Sequence, residues 1–110
     1  MKLEDIQTAI ESMTVGRKSK DRKTFLVVLD DGQTVAVRRI GIGWDLVVQL
    51  PSGTIYTMPG KLVRAQVSWR DPECIEITVG EMSGPDFRPR GSFLCRAEDV
   101  VSIEEADHDD

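Results

Sequence analysis

From residue 24 onward, apolar and polar residues alternate along short segments that end at turn-forming residues. The clearest case is residues 63–69, where Val, Ala, Val and Trp occupy every second position and Arg, Gln and Ser lie between them. This period of two is typical of a β-strand with one buried face. Turn signals recur every 8–12 residues or so, as in small all-β domains. The sequence therefore predicts short, sequential strands in an antiparallel sheet.

The individual strands follow from the same pattern. Residues 24–29 are apolar on both faces, which predicts a central strand. Asp30–Gln33 contains an Asp-Gly step, a strong hairpin signal, and predicts a return strand over residues 34–42. Further strands are predicted at 44–50, 54–58, 63–69, 75–79 and from 93 onward, with Pro51–Gly53 and Pro59–Gly60 as turns.

One helix is predicted before the first strand. Leu3, Ile6, Ile10 and Met13 follow the spacing of three and four that places side chains on one helix face. Glu4 and Asp5 would lie in the first turn, where acids complement the helix dipole. A helix over residues 3–13 is too short to be stable alone, so it should pack on the sheet.

Six or seven strands in so short a chain should curl rather than remain flat. We therefore predict a mainly β fold, α+β by content, in which the helix precedes a small, strongly bent antiparallel β-barrel of the SH3-like or OB-like kind. A helix-backed antiparallel sheet is the alternative. The chain of 110 residues fits a single domain over 1–103, with helix 3–13 and barrel 24–103, followed by an acidic flexible tail at 104–110.

Charge is distributed unevenly along the chain. The 19 acids exceed the 14 bases and give a net charge of −5, and the excess lies in the tail, 104–110. Such a tail is usually solvated. The sharper alternatives are that it imitates the phosphates of a nucleic acid or shields a basic patch of the same chain.

Positive charge is concentrated just before the first predicted strand, in Arg17, Lys18, Lys20, Arg22 and Lys23. Cations at this density can neutralise phosphates at low or moderate salt. No aromatic residue lies among them, so base stacking is not indicated. We favour a solvated connector and keep nucleic-acid binding as the alternative.

The residues that carry most enzymatic chemistry are scarce. The one histidine, His108, lies in the acidic tail, which provides no rigid base for a nucleophile. Cys74 and Cys95 are too few to hold zinc with it, and we expect no metal and no cofactor. We expect Cys95 to pack in the core and Cys74 to face outward with modest reactivity. The sequence therefore predicts a protein that is not an enzyme.

The expected location is the cytoplasm. The longest apolar run, Phe25–Leu29, is far shorter than the ~20 residues of a membrane-spanning helix. Glu4 and Asp5 stand where a signal peptide would have its apolar segment.

The segment from Gly80 to Gly91 is the least ordinary stretch. It is long for a connector between strands, and long connectors are often functional. Phe87 with Met82 would form an apolar anchor, and Arg88 and Arg90 would reach acidic groups on a partner. The competing interpretation is that Phe87 caps the barrel end and the arginines are solvated.

Three aromatic residues form a second candidate site, since such sets can hold a cation or a peptide. Trp44 and Trp69 fall on inward-facing positions, so we expect them in the core. Tyr56 should lie at the surface.

These observations favour a small binding module that recognises another macromolecule, most simply a protein, through the loop at 80–91. Accessory or inhibitory factors are proteins of this kind. The first alternative is a nucleic-acid-binding barrel that uses the basic residues 17–23 with Arg38, Arg39, Arg88 and Arg90. The second is a subunit of a symmetric oligomer built by pairing of strand edges.

Overall fold

The computed structural model describes residues 1–14 and 24–106 as an N-terminal helix followed by antiparallel strands. The basic segment 17–23 and residues 107–110 lie outside the described residues. The elements are α1 (Leu3–Thr14), β1 (Thr24–Leu29), β2 (Thr34–Ile40), β3 (Gly43–Gln49), β4 (Ile55–Gly60), β5 (Leu62–Val67), β6 (Cys74–Ser83), β7 (Asp86–Arg96), a 3-10 helix (Ala97–Asp99) and β8 (Val100–Ala106).

The first sheet has the strand order β4-β3-β2-β1-β8. Its inner residues come from every second position of the predicted strands: Phe25 pairs with Val37, which in turn pairs with Leu46, and all three are fully buried. The β1–β2 turn forms where Asp-Gly predicted it, because Gly32 adopts a φ of 92° that a side chain would disfavour. The central position of β1 is confirmed.

The second sheet has the order β5-β6-β7, and a sharp corner joins it to the first. Pro59–Gly60, predicted as a turn, instead ends β4, and only Lys61 separates it from β5. Gly60 permits this crossing because a Cβ there would stand 2.6 Å from the Gly80 nitrogen. The Lys61 amide then donates to the Gly80 carbonyl at 2.9 Å, which continues the backbone pairing across the corner.

The core lies between the two sheets. β1, β2 and β3 contribute one wall, and Ile75, Ile77 and Val79 of β6 contribute the other. Helix α1 packs on β5, β6 and the 3-10 helix, with Ile6 buried in the core and Leu3 against it. The amphipathic spacing in the sequence is thus realised at these two positions.

The mainly β, antiparallel fold with one N-terminal helix is confirmed, but the predicted closed barrel is not. Among the described residues, eight strands form two sheets, and neither sheet closes on itself. The corner at Lys61 divides the strands because β4 stays with β3 while β5 pairs with β6. The chain thus passes from the first sheet to the second at this corner.

The start of the predicted acidic tail belongs to the fold. Strand β8 continues to Ala106, where Glu104 pairs with Leu26 and Glu105 with Phe25 of β1. Backbone pairing depends little on side-chain charge at an edge strand, where the side chains remain in water. The acidic composition of residues 104–106 therefore indicated a flexible tail, although these residues form the end of β8.

Candidate functional site

Residues 80–91 form the outer part of a long β-hairpin and not an irregular connector. Strand β6 continues to Ser83, β7 begins at Asp86, and Gly84–Pro85 make the turn between them. The pairing of β6 with β5 ends at Gly80, opposite Leu62. Residues 81–88, the hairpin arm, therefore extend beyond the three-stranded sheet as a two-stranded ribbon.

A bulge sets the direction of the arm. The β6–β7 register shifts between Val79 and Gly80, so that Val79 pairs with Gly91 but Gly80 pairs with Pro89. A Cβ on Gly80 would clash with the Arg88 carbonyl oxygen and would stand 2.7 Å from Cζ of Phe87. The close approach of the two chains at this bulge therefore requires glycine.

Phe87 holds the arm against the sheet. Its ring packs over Gly80, and the Arg64 guanidinium lies 4.3 Å from the ring centre in cation–π geometry. The side chain is half-buried and does not belong to the buried core between the sheets. The structure therefore does not show Phe87 as a cap on the core.

The rest of the arm presents an apolar side chain and cations to solvent. Met82 pairs with Phe87 across the strands and is 48 % exposed. Arg90 donates to the Glu81 carboxylate at 3.0 Å, an exposed ion pair worth little in stability. Arg88 is exposed and has no ion-pair partner among the described residues. The structure thus places the four predicted contact residues on one hairpin.

Of the three aromatic residues, two lie where the sequence predicted. Trp44 is 2 % exposed in the core and Tyr56 is at the surface. The prediction that Trp69 is buried is wrong, because it is 82 % exposed. Strand β5 ends at Val67, so the alternation that would place Trp69 inward stops two residues earlier.

Arg38 and Arg39, part of the nucleic-acid alternative, are engaged within the first sheet. Arg38 donates through Nε and Nη2 to the two carboxylate oxygens of Asp45 at 2.9 and 2.7 Å. The hydrogen bonds to this nearly buried carboxylate raise the pKa of Arg38. Arg39 is buried and lies over the Trp44 ring.

The two thiols are held protonated at neutral pH. Cys74, predicted to face outward, is buried at the start of β6, and its thiol donates to Oδ2 of Asp71 at 3.4 Å. Burial and the Asp71 carboxylate raise the pKa of the Cys74 thiol, and burial raises the pKa of Cys95 to about 11. A protonated thiol is a poor nucleophile.

Both thiols border a shallow cleft of about 330 Å³ between the β1–β2 turn and the start of β6. Asp30, Asp31 and Asp99 also line it. The Asp31 carboxylate accepts hydrogen bonds from the backbone amide and the side-chain amide of Gln33, at 2.9 and 2.6 Å. Within residues 1–14 and 24–106, no group of three or more His, Cys, Asp or Glu side chains is arranged to hold a metal ion.

Comparisons with protein-family models, with curated proteins and with solved structures find no match to this chain. In the described part of the chain, no helix combines the length and apolar character that crossing a membrane requires.

Proposed function

We propose that this protein is a non-enzymatic binding module that recognises another protein through the hairpin arm. One observation carries the proposal. Strand β6 pairs with β5 only as far as Gly80, and the arm lies beyond that point. The arm contributes little to the core, and it exposes Met82 beside Phe87. An exposed apolar side chain beside an aromatic ring and an arginine combines residue types that dominate many protein contacts.

The conformation of the arm is also restricted before any partner binds. Phe87 is fixed by Gly80 and Arg64, and Pro85 and Pro89 restrict the backbone on both sides of it. A site ordered in advance loses less conformational entropy when a partner binds. The unpaired charge of Arg88 would give this contact a preference for an acidic group on the partner.

The titratable groups favour binding over catalysis. The buried Asp45 carboxylate is paired with Arg38. Both thiols have raised pKa values, whereas a nucleophilic thiol needs a lowered pKa that populates the thiolate near neutral pH.

Affinity capture from a cell lysate at moderate salt, run in parallel with and without nuclease, tests the proposal. The wild-type chain should retain a protein that nuclease does not release. The double variant Met82→Ser, Arg88→Glu should retain at least about tenfold less, since truncating an anchor commonly costs more than ~1.4 kcal/mol of binding.

The matched control is Val101→Ser, Lys2→Glu, which changes one exposed apolar residue and one exposed cation far from the arm. It should capture as much as the wild type. Equal capture by the arm variant would refute the proposal. Recovery of nucleic acid alone, lost on nuclease treatment, would instead support the nucleic-acid alternative.

A further inference from the structure

Trp69 and Arg70 lie at the opposite end of the second sheet from the arm. Strand β5 pairs with β6 from Leu62, opposite Gly80 at the arm, to Val67, opposite Ile75. Five residue steps of strand separate these ends by roughly 17 Å. Any contact made by Trp69 is therefore distinct from a contact made by the arm.

The segment that carries Trp69, residues 68–73, is tightly hydrogen-bonded. The Ser68 amide donates to the Cys74 carbonyl, and the Cys74 amide donates to the Asp71 carbonyl, both at 3.0 Å. The Asp71 carboxylate accepts from the Glu73 amide at 3.0 Å. The Arg70 amide donates to the Ser68 hydroxyl at 3.2 Å. This network, the Trp69 loop, fixes the backbone that presents the indole.

The indole itself contributes little to folding. It is 82 % exposed, and its one described ring contact is the Arg70 guanidinium, 4.9 Å from the ring centre. A tryptophan buries on the order of 200 Å² when a partner covers it, so this ring holds a large unused apolar surface. Trp and Arg are also the residue types most enriched among dominant interface contacts.

The charges around the loop define the partner. The Asp71 carboxylate accepts hydrogen bonds from the Glu73 amide and the Cys74 thiol. The Glu73 carboxylate forms an ion pair with Arg96 at 2.6 Å. Among the described residues, Arg70 has no acidic partner. The positive charge beside the indole is therefore available to an external carboxylate.

We infer that Trp69 and Arg70 form a second contact site, which takes an acidic protein segment with an apolar side chain next to a carboxylate. The apolar side chain covers the indole and the carboxylate pairs with Arg70. A nucleic acid fits less well, because the Asp71 and Glu73 carboxylates of the same loop would repel a run of phosphates.

Selection of displayed random peptides on the immobilised full chain tests this inference. Enriched peptides should contain Asp or Glu beside Leu, Ile, Phe or Met. Their affinity should fall at least about tenfold with Trp69→Ala and again with Arg70→Glu. The control Tyr56→Ala, which truncates another exposed aromatic residue, should leave their affinity unchanged.

The arm variant Met82→Ser, Arg88→Glu should also bind these peptides normally, which separates this inference from the proposed function. Because Trp69 is so exposed, its variant should keep the wild-type thermal midpoint. The inference is overturned by an absence of enriched acidic peptides, by binding that is indifferent to Trp69→Ala, or by Trp69-dependent binding of single-stranded oligo(dT) in their place.

Discussion

Phe25 and Phe87 show how differently one residue type is used in this molecule. Phe25 is fully buried between the sheets on β1. Phe87 is half-buried on the hairpin arm, with Gly80 below it and the Arg64 guanidinium above. Removing the first ring leaves a cavity in the core, whereas the second ring is already partly exposed to solvent in the folded chain.

We therefore expect Phe25→Ala to lower the free energy of unfolding by about 4 kcal/mol and Phe87→Ala by about 1–2 kcal/mol. Urea denaturation of both variants measures the difference. If the two losses were equal, Phe87 would be a core residue, and its assignment to the contact site would be wrong.

Cys95 gives a pH dependence with a definite sign. Burial raises the pKa of its thiol from 9.0 to about 11, so the folded chain keeps this proton when the unfolded chain has lost it. The free energy of unfolding should thus be independent of this group below pH 9 and should fall as the pH rises from about 9 to about 11.

Urea denaturation at pH 8, 9, 10 and 11 checks this expectation, with Cys95→Ala as the control. The variant should lose less stability over that interval than the wild type. Parallel decreases in the two proteins would show that another group causes the loss.

At the scale of the elements, the bulge at Gly80 connects the core to the arm. Val79 is buried in the second sheet, and the next residue begins the turn of the backbone toward the arm. The same glycine accommodates the corner between β4 and β5, because Gly60 approaches its nitrogen. One position therefore serves both the junction of the sheets and the contact site.

Gly80→Ala should destabilise the chain by more than about 2 kcal/mol, because the added Cβ meets the Arg88 backbone, which cannot move away without breaking the ribbon. Ser83→Ala, at the exposed end of β6, should change stability by less than about 0.5 kcal/mol. Thermal unfolding followed by circular dichroism compares them. A mild effect at Gly80 would mean that the bulge is not constrained as described.

The elements also show which sequence signals were sufficient. Local patterns predicted β1 and its hairpin, because the Asp-Gly turn signal and the alternation that follows it depend only on neighbouring residues. The corner at Gly60 depends on a contact with Gly80, twenty residues away, which no local pattern contains. The exposure of Trp69 followed from where β5 ends, and strand ends are set by pairing with β6.

The candidate site was accessible from the sequence for a similar reason. Its residue types, an aromatic, a methionine and two arginines close to two prolines, could be recognised without knowing the backbone. The regular hairpin that carries these residues could not be predicted. An irregular connector was suggested instead by two glycines and two prolines, Gly80, Pro85, Pro89 and Gly91.

On the scale of the whole molecule, two open sheets leave free strand edges, and the edge at β8 is protected against self-association. Val101 is an extra residue opposite the Val28–Leu29 step of β1, which makes a bulge, and Glu104 and Glu105 follow it. Bulges and charges at an edge discourage pairing with another copy.

We therefore predict that the protein is a monomer at high concentration, contrary to the symmetric-oligomer alternative. Light scattering should give a mass near 12.3 kDa. A stable dimer that dissociates when Val101 is replaced by Lys would show that the β8 edge pairs after all.

Hydrogen exchange of the backbone amides, measured on the free chain and on the chain saturated with the protein that it captures, tests the central claim most directly. Binding should slow exchange at residues 81–88 and leave β4 and β8 unchanged. Protection confined to those edges, with none in the hairpin arm, would contradict the account.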